Sequence, residues 1–257
     1  MADSVILRTE QLHRHFGGIL ATNAVNIEFK ENRLKSIIGP NGAGKTTLIN
    51  VITGRLPASS GAILFQGRDI TDQPAHRLTR LGICRTFQIT SIFMGLTVFE
   101  NVRISKQMKR GGSFRIFSKK ASLKKVNMET WEILERLDLK DKAHVPSSNL
   151  AHGDQRLLEV AMALASEPKI LFLDEPTAGM SPAETEHIAR LIKGLSEKIS
   201  VALVEHDMDV VMSISDEISV LHQGTIIAEG PPEEIQNNRM VKEAYLGDAR
   251  PEIGQNP

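Results

Sequence analysis

One eight-residue segment restricts the fold of this chain more than any other feature. It reads Gly39-Pro40-Asn41-Gly42-Ala43-Gly44-Lys45-Thr46 and fits the pattern G-x-x-x-x-G-K-[ST]. A β-branched run at residues 33–38 precedes it, and an amphipathic pattern at residues 46–52 follows it. Glycines in such a loop let backbone N–H groups turn inward around a phosphate, and the following helix adds the positive end of its dipole. The sequence therefore predicts a phosphate-binding loop between a strand and a helix.

The residues of this loop have distinct expected roles toward ATP. Residues 39–44 would surround the β-phosphate with backbone N–H groups, Lys45 would reach the β- and γ-phosphates, and the Thr46 hydroxyl would ligate Mg²⁺. Thr47 follows and is expected to support a contact to the α-phosphate. The alternative is a glycine-rich turn that only links a strand to a helix. The fixed positions of the pattern and its flanks favour phosphate binding.

Two adjacent carboxylates follow a second apolar run. Residues 170–173 read Ile-Leu-Phe-Leu, and Asp174 and Glu175 come directly after them. Open α/β sheets bind ligands at the carboxyl ends of their strands. We expect Asp174 to hold Mg²⁺, directly or through water, and Glu175 to orient or deprotonate the water that attacks the γ-phosphate. Acids at a strand end are commonly solvated turn residues, but their place after a phosphate-binding loop favours the catalytic interpretation.

The apolar runs also predict the fold class. Runs at residues 33–38, 170–173, 199–204 and 218–221 alternate with helical patterns, which indicates an α/β fold with a mostly parallel core sheet. Together with the phosphate-binding loop, this arrangement resembles the P-loop NTPase (RecA-like) fold. The first 30 residues and residues 61–70 read as short strands with glycine turns. We predict one domain over residues 1–250, with an antiparallel β subdomain at about 1–35 and 60–75 and an α-helical subdomain at about 95–165. Residues 251–257 would form a flexible tail.

Charge and composition exclude several classes of partner. The 31 Lys and Arg residues balance 31 Asp and Glu residues, so we expect no nucleic-acid partner. The single cysteine, Cys84, cannot form an intramolecular disulfide, and the first residues lack a secretion signal, which predicts a cytosolic chain. Residues 101–128 carry nine Lys or Arg and no acid. This segment reads as an exposed insertion in a helical region, either a solvated loop or a basic patch that faces a membrane.

The order of motifs resembles that of ABC-type ATPases over essentially the whole chain. The shared order is the loop at residues 39–46, Gln88, residues 150–156, Asp174-Glu175 and His206. The resemblance implies that Gln88 touches Mg²⁺ and the attacking water and senses a membrane subunit. It also implies that the imidazole of His206 hydrogen-bonds near the γ-phosphate. Phe16 occupies the place of an aromatic residue that stacks on adenine, although a phenylalanine in the core is the open alternative.

The family signature, Leu-Ser-Gly-Gly-Gln, departs from its usual form. In the family this segment begins a helix and, in a head-to-tail dimer, caps the ATP held by the partner subunit. Here it reads Leu150-Ala151-His152-Gly153-Asp154, so only Leu150 and Gly153 match. The resemblance still assigns nucleotide contacts to Ala151, Gly153 and Asp154, because backbone N–H groups and the helix dipole remain. Loss of the serine hydroxyl at Ala151 removes one contact to the γ-phosphate, and the substitutions at Ala151, His152 and Asp154 together predict a weak homodimer.

Four short stretches resemble the ATPase subunits of bacterial branched-chain amino acid importers. They are residues 85–93 (RTFQITSIF), 96–102 (LTVFENV), 204–208 (VEHDM) and 244–247 (AYLG). Residues 178–180 and 221–224 also resemble a urea-importing branch. Import of branched-chain or hydrophobic amino acids ranks first, import of urea or amides second, and export of lipid or lipopolysaccharide third. A non-transport ATPase acting on ribosomes or nucleic acid would usually carry two cassettes or a long coiled-coil insertion.

The same resemblance implies partners and a location. It implies a second ATP-binding subunit, either a paralogue or a second copy, two membrane-spanning permease subunits, and indirectly a solute-binding protein. The chain would lie peripherally at the cytoplasmic face of a bacterial or archaeal plasma membrane. Residues 89–93, with the apolar pair Ile92 and Phe93, would form part of the groove that receives a cytoplasmic helix of the permease. The alternative is that Phe93 packs inside the helical subdomain.

Overall fold

The computed structural model describes residues 4–86, 92–109 and 120–247. The first half contains β1 (Val5–Phe16), β2 (Ile19–Lys30), β3 (Leu34–Ile38), α1 (Lys45–Ile52), β4 (Ser60–Phe65), β5 (Arg68–Asp69), α2 (Ala75–Leu81), β6 (Ile83–Arg85), α3 (Val98–Lys109) and α4 (Lys120–Arg136). The second half contains α5 (His152–Ala165), β7 (Ile170–Asp174), α6 (Pro182–Ser196), β8 (Ser200–Val204), α7 (Met208–Ile214), β9 (Glu217–His222), β10 (Thr225–Gly230), α8 (Pro232–Asn237) and α9 (Arg239–Gly247).

The core is a six-stranded sheet in the order β10-β9-β3-β8-β7-β6. All neighbouring strands in it run parallel except β10, which is antiparallel to β9. Every residue of β3, β7 and β8 is buried, as expected for parallel strands covered on both faces. The three strands lead into Gly39, Glu175 and Glu205, so their carboxyl ends bring the loops that follow to one edge. This architecture confirms the α/β prediction.

Alternate residues of the central strands pack against different layers. Leu171 and Leu173 face a cluster that includes residues of α5 and α6. Ile170 and Phe172 face the opposite cluster, which contains residues of α1 and of the antiparallel sheet. This period of two is the geometry of an extended strand.

The antiparallel layer has the order β2-β1-β4-β5 and contains longer strands than expected. Both β1 and β2 have 12 residues, so the prediction of short strands was wrong here. The register shifts at several points along this pair, and Gln11 and Ala24 adopt a left-handed backbone inside it, with φ of 47° and 49°. Such bulges interrupt the alternation of polar and apolar residues, which made one long ribbon read as several strands.

The helical region consists of α3, α4 and α5, which share one apolar cluster with α6. The solvated-loop interpretation of residues 101–128 was wrong for both described parts, because residues 101–109 lie in α3, where Lys106 is buried, and residues 120–128 lie in α4. The Lys106 ammonium pairs with Glu167 at 2.7 Å and with Glu129 at 3.2 Å. Residues 110–119 lie outside the described part of the chain.

The last two helices, α8 and α9, pack against the core sheet. Ile235 of α8 and Val241 of α9 belong to a cluster with Ile38 and Val211. Within residues 4–86, 92–109 and 120–247, we find no helix whose length and apolar character would let it cross a bilayer.

Candidate functional site

Other backbone segments pack closely against the glycines at both ends of the loop between β3 and α1. A Cβ added to Gly39, which has φ of 153°, would lie 2.0 Å from the Leu221 carbonyl oxygen. One added to Gly44, which has φ of 102°, would lie 2.2 Å from the Ala21 carbonyl oxygen. Only glycine fits these contacts without displacing backbone. Gly42, in the middle of the loop, has φ of 78° and would meet no atom within 4 Å. The loop is therefore fixed at its ends and open at its centre.

Lys45 folds back over this loop. Its Nζ donates hydrogen bonds to the carbonyl oxygens of Gly39 at 2.6 Å and Pro40 at 2.9 Å. Burial lowers the pKa of Lys45, while the negative charges of Glu175 and Asp174 act in the opposite direction. Asp174 and Glu175, at the end of β7, thus lie near the Lys45 ammonium group. The phosphate-binding loop and the carboxylate pair lie together, as the sequence predicted.

Asp174 has one satisfied and one unsatisfied carboxylate oxygen. Its Oδ2 accepts a hydrogen bond from Arg85 Nη2 at 2.6 Å, and Arg85 Nη1 donates to Asn50 Oδ1 at 2.5 Å. The Asp174 side chain is fully buried, and its Oδ1 has no hydrogen-bond partner. A buried oxygen of this kind calls for a partner, and Mg²⁺ prefers carboxylate and hydroxyl oxygens together with water. Asp174, with Thr46 in the first turn of α1, fits that ion.

Glu175 and His206 form a close pair at the same edge. Glu175 has a left-handed backbone with φ of 48°, and its N–H donates to the Val204 carbonyl at 2.8 Å. A left-handed backbone costs a residue with a side chain about 1–3 kcal/mol and is often found at functional sites. Glu175 Oε1 lies 2.7 Å from His206 Nε2, and both side chains are partly exposed. A carboxylate and an imidazole thus meet beside the phosphate-binding loop.

Phe16 lies on the surface at the end of β1. Its side chain is 43% exposed, and the Arg14 guanidinium sits 4.5 Å from the ring centroid. The alternative of a phenylalanine in the core is therefore wrong. Phe16 pairs with Ile19 across the hairpin between β1 and β2. Ala21 lies two residues after Ile19, and its carbonyl group packs against Gly44 of the phosphate-binding loop. Adenine stacking on this ring stays a prediction.

At the start of α5, Ala151 and His152 are exposed, Gly153 is buried and Asp154 is partly buried. Ala151 is the N-cap of the helix and offers no side-chain capping bond. A Cβ on Gly153 would lie 3.4 Å from Glu184 Oε1 of α6. Both oxygens of Asp154 accept hydrogen bonds from Lys142 Nζ at 2.6 Å. The nucleotide contacts expected of Ala151, Gly153 and Asp154 stay predictions. Gln88 lies outside the described residues, so its expected contacts to Mg²⁺ and water also stay predictions.

Three residues of the site were not found from the sequence. Arg85 donates a hydrogen bond to Asp174, Asn50 accepts one from Arg85, and Glu205 accepts hydrogen bonds from the segment after Glu175. Arg85 and Glu205 could have been found from the sequence as charged residues that lie next to apolar strand residues. These features define an α/β, P-loop protein with a site for a nucleoside triphosphate.

Residues 22–178 match the family described as ABC transporter. The chain belongs to this family. Residues 225–250 match a second family, described as branched-chain amino acid ATP-binding cassette transporter.

Individual relatives agree with the family match. The chain is 42% identical over 253 residues to the high-affinity branched-chain amino acid transport ATP-binding protein LivG of Salmonella typhimurium, covering 95% of this chain and 98% of the relative. It is 40% identical over 251 residues to BraF of Pseudomonas aeruginosa, covering 95% of this chain and 98% of BraF. Among solved structures, the ADP conformation of an ATP-binding cassette of an ABC transporter matches with a TM-score of 0.84 and 33% identity, covering 95% of this chain and 99% of that one.

Proposed function

We propose that this chain is the ATP-hydrolysing subunit of an ABC importer for branched-chain or hydrophobic amino acids. The observation that carries the hydrolytic role is the 2.7 Å contact between Glu175 Oε1 and His206 Nε2 at the edge that also presents Lys45. A carboxylate beside an imidazole can orient water and accept its proton. This arrangement suits transfer of the γ-phosphoryl group of ATP to water.

In this proposal the chain's own groups divide the work. Backbone N–H groups of the loop and Lys45 hold the β- and γ-phosphates, and Thr46 and Asp174 hold Mg²⁺. When bound, that ion neutralises charge on the phosphate oxygens. Glu175 orients the attacking water and takes its proton as the new oxygen–phosphorus bond forms and the bond to the β-phosphate oxygen breaks. His206 holds Glu175 and hydrogen-bonds the γ-phosphate, and Gln88 contacts the same water.

The solute assignment is supported by the named relatives and by the match at residues 225–250. We propose as partners a second ATP-binding subunit, two membrane-spanning permease subunits and, through them, a solute-binding protein. The chain would then associate with the cytoplasmic face of the plasma membrane. Phe93 is 50% exposed whereas Ile92 is buried, which supports a permease contact for the Phe93 ring. Phe93→Ala should reduce co-purification of the permease without lowering the melting temperature.

Replacement of Glu175 by Gln tests the hydrolytic role. The variant should bind ATP normally and hydrolyse it at least about 100-fold more slowly, as is typical when a general base is lost. Glu243→Gln is the matched control, because Glu243 is exposed and pairs with Arg239 on α9. Near-normal turnover by the Glu175 variant would refute the assignment.

Reconstitution tests the solute. The chain should co-purify from membranes with permease subunits, and ATP turnover of that complex with its solute-binding protein should rise on addition of leucine, isoleucine or valine. Stimulation by urea or short amides alone would refute import of amino acids and favour the second-ranked solute class.

A further inference from the structure

A buried carboxylate next to the catalytic pair has no role in the mechanism above. Glu205 follows β8 directly and is only 3% exposed. Its Oε1 accepts hydrogen bonds from the Thr177 N–H at 3.0 Å and from the Thr177 hydroxyl at 2.6 Å. Its Oε2 accepts a hydrogen bond from the His206 N–H at 3.1 Å. The two oxygens of one side chain therefore hold two different segments.

Burial of a carboxylate is costly unless hydrogen bonds satisfy it. Bonds to an ionised oxygen are stronger than bonds between neutral groups, so three donors fix Glu205 firmly. Each donor belongs to a segment that carries a catalytic side chain. Thr177 is two residues after Glu175, and His206 is the imidazole partner itself. Glu205 thus forms hydrogen bonds to the backbone of His206 and to the backbone two residues after Glu175.

The contacts form a closed ring. Glu205 bonds to Thr177, the chain runs from Thr177 back to Glu175, Glu175 contacts His206, and the His206 N–H returns to Glu205. We propose that Glu205 is a positioning residue for hydrolysis, which fixes the separation between the Glu175 carboxylate and the His206 imidazole. Glu175 has a left-handed backbone with φ of 48°, and such a conformation persists only when its surroundings hold it. This role rests on the proposed function of Glu175 and His206.

Two variants and one matched control test the proposal in the full chain. Glu205→Gln keeps the volume but sets an NH₂ group against a donor, and Thr177→Val removes only the hydroxyl donor. We expect the kcat for ATP to fall by about 10- to 100-fold in Glu205→Gln and by a smaller factor in Thr177→Val, because small displacements of reacting groups cost rates of this order. The Kd for ATP should stay within about twofold, since the phosphate-binding loop is untouched.

Thr130→Val is the control for loss of a buried hydroxyl. Thr130 is fully buried in α4, where its hydroxyl donates to the Val126 carbonyl at 2.8 Å. Thr130→Val and Thr177→Val should lower the melting temperature to a similar extent, but only Thr177→Val should lower kcat. If both lower kcat equally, Glu205 has only a structural role and the proposal is wrong.

A nucleotide-free measurement separates this proposal from the proposed function. The ¹⁵N resonances of the His206 ring, assigned by their absence in His206→Ala, should shift in Glu205→Gln and Thr177→Val and stay in place in Thr130→Val. Unchanged His206 resonances in both site variants would overturn the positioning role. If the wild-type chain does not hydrolyse ATP but the His206 resonances still shift in both site variants, the positioning of the pair is supported and the hydrolytic function is refuted.

Discussion

The carboxyl edge of the core sheet and the first turn of α5 are built in opposite ways. At the sheet edge, Asp174 is fully buried and tied to Arg85, and Lys45 is held by two carbonyl groups. At the start of α5, Ala151 is exposed and caps the helix with no side-chain bond. Asp154 there is neutralised by Lys142, whose side chain is 45% exposed. One region is a set of buried, mutually bonded groups, and the other is a helix end on the surface.

We propose from this difference that the two regions serve as unlike halves of a nucleotide site. The first N–H groups of a helix have no partner inside the helix and attract anions. In this proposal, the sheet edge of one chain would supply the phosphate, metal and water ligands together. The first N–H groups of α5 would then contact a phosphate that another subunit holds. If this is correct, substitutions at the sheet edge should act on the isolated chain, and those near α5 should act on assembly.

The largest difference is expected in stability. Arg85→Met removes one partner of a buried ion pair and should lower the free energy of unfolding by about 3–5 kcal/mol. Lys142→Met removes one partner of a more exposed pair and should cost about 1 kcal/mol or less. Urea unfolding of both variants checks this. Equal losses would contradict the contrast between the two regions.

The second expectation concerns thiol reactivity. Burial raises the pKa of the Cys84 thiol, which is next to Arg85 on β6, to about 11. At pH 8 its thiolate fraction should be on the order of 100-fold below that of a free cysteine with a pKa of ~8.5. Because the pKa is higher in the folded state, this stabilises the folded chain below about pH 8.5, and the effect is lost as the pH rises toward 11.

A cysteine introduced at the start of α5 provides the comparison for the reactivity of Cys84. The exposed thiol of Ala151→Cys should react with a thiol reagent at pH 8 at least as fast as a free cysteine, because a helix N-terminus lowers the pKa of a thiol. Cys84 in the same protein should stay protected until urea unfolds the chain. Rapid modification of Cys84 in the folded wild type would show that this edge of the sheet is open to water.

The third expectation concerns ATP affinity. Lys45→Met removes a charged donor to the phosphates and should weaken ATP binding by about 10- to 100-fold, the equivalent of the 1.5–3 kcal/mol of a charge-assisted bond. Lys142→Met also removes one lysine charge and should leave the affinity of the isolated chain within about twofold. Calorimetric titration of both variants measures this. A comparable loss in both would mean that α5 contributes to the same nucleotide within one chain.

The two regions also differ in how far the sequence could predict them. The phosphate-binding loop and the Asp174-Glu175 pair are contiguous motifs, and their places follow from the strands before them. Arg85 could not be assigned, because it meets Asn50 and Asp174 across 35 and 89 residues of sequence. The salt bridge between Lys142 and Asp154 was missed for a similar reason, since a short turn brings Lys142 back to α5.

The long β1–β2 ribbon shows another limit of sequence patterns. Strand prediction rests on alternation, and the bulges near Gln11 and Ala24 break it without ending the strand. Helix α3 was obscured by its basic side chains. Lys106 is buried only because Glu129 and Glu167, from other elements, neutralise it, and no local pattern carries that information.

The smallest effect is expected at α5 and requires two subunits. In the Glu175→Gln background, ATP should promote self-association, or association with a paralogous ATPase, because unhydrolysed ATP would stay between the phosphate-binding loop of one subunit and α5 of the other. Lys142→Met leaves the Asp154 charge uncompensated at the helix end that would face the phosphates. We expect it to weaken ATP-driven dimerisation by about two- to fivefold, in line with the 0.3–1 kcal/mol of charges near helix ends.

Lys140→Met is the matched control, because Lys140 lies in the same short turn but pairs with Glu135 at 2.7 Å instead of Asp154. Light scattering with and without ATP should show weaker association for Lys142→Met and unchanged association for Lys140→Met. A tight dimer without nucleotide would contradict this account, because the exposed helix end would then be buried independently of any phosphate. Equal weakening by both variants would mean that the overall charge of the turn, and not the freed Asp154 carboxylate, governs association.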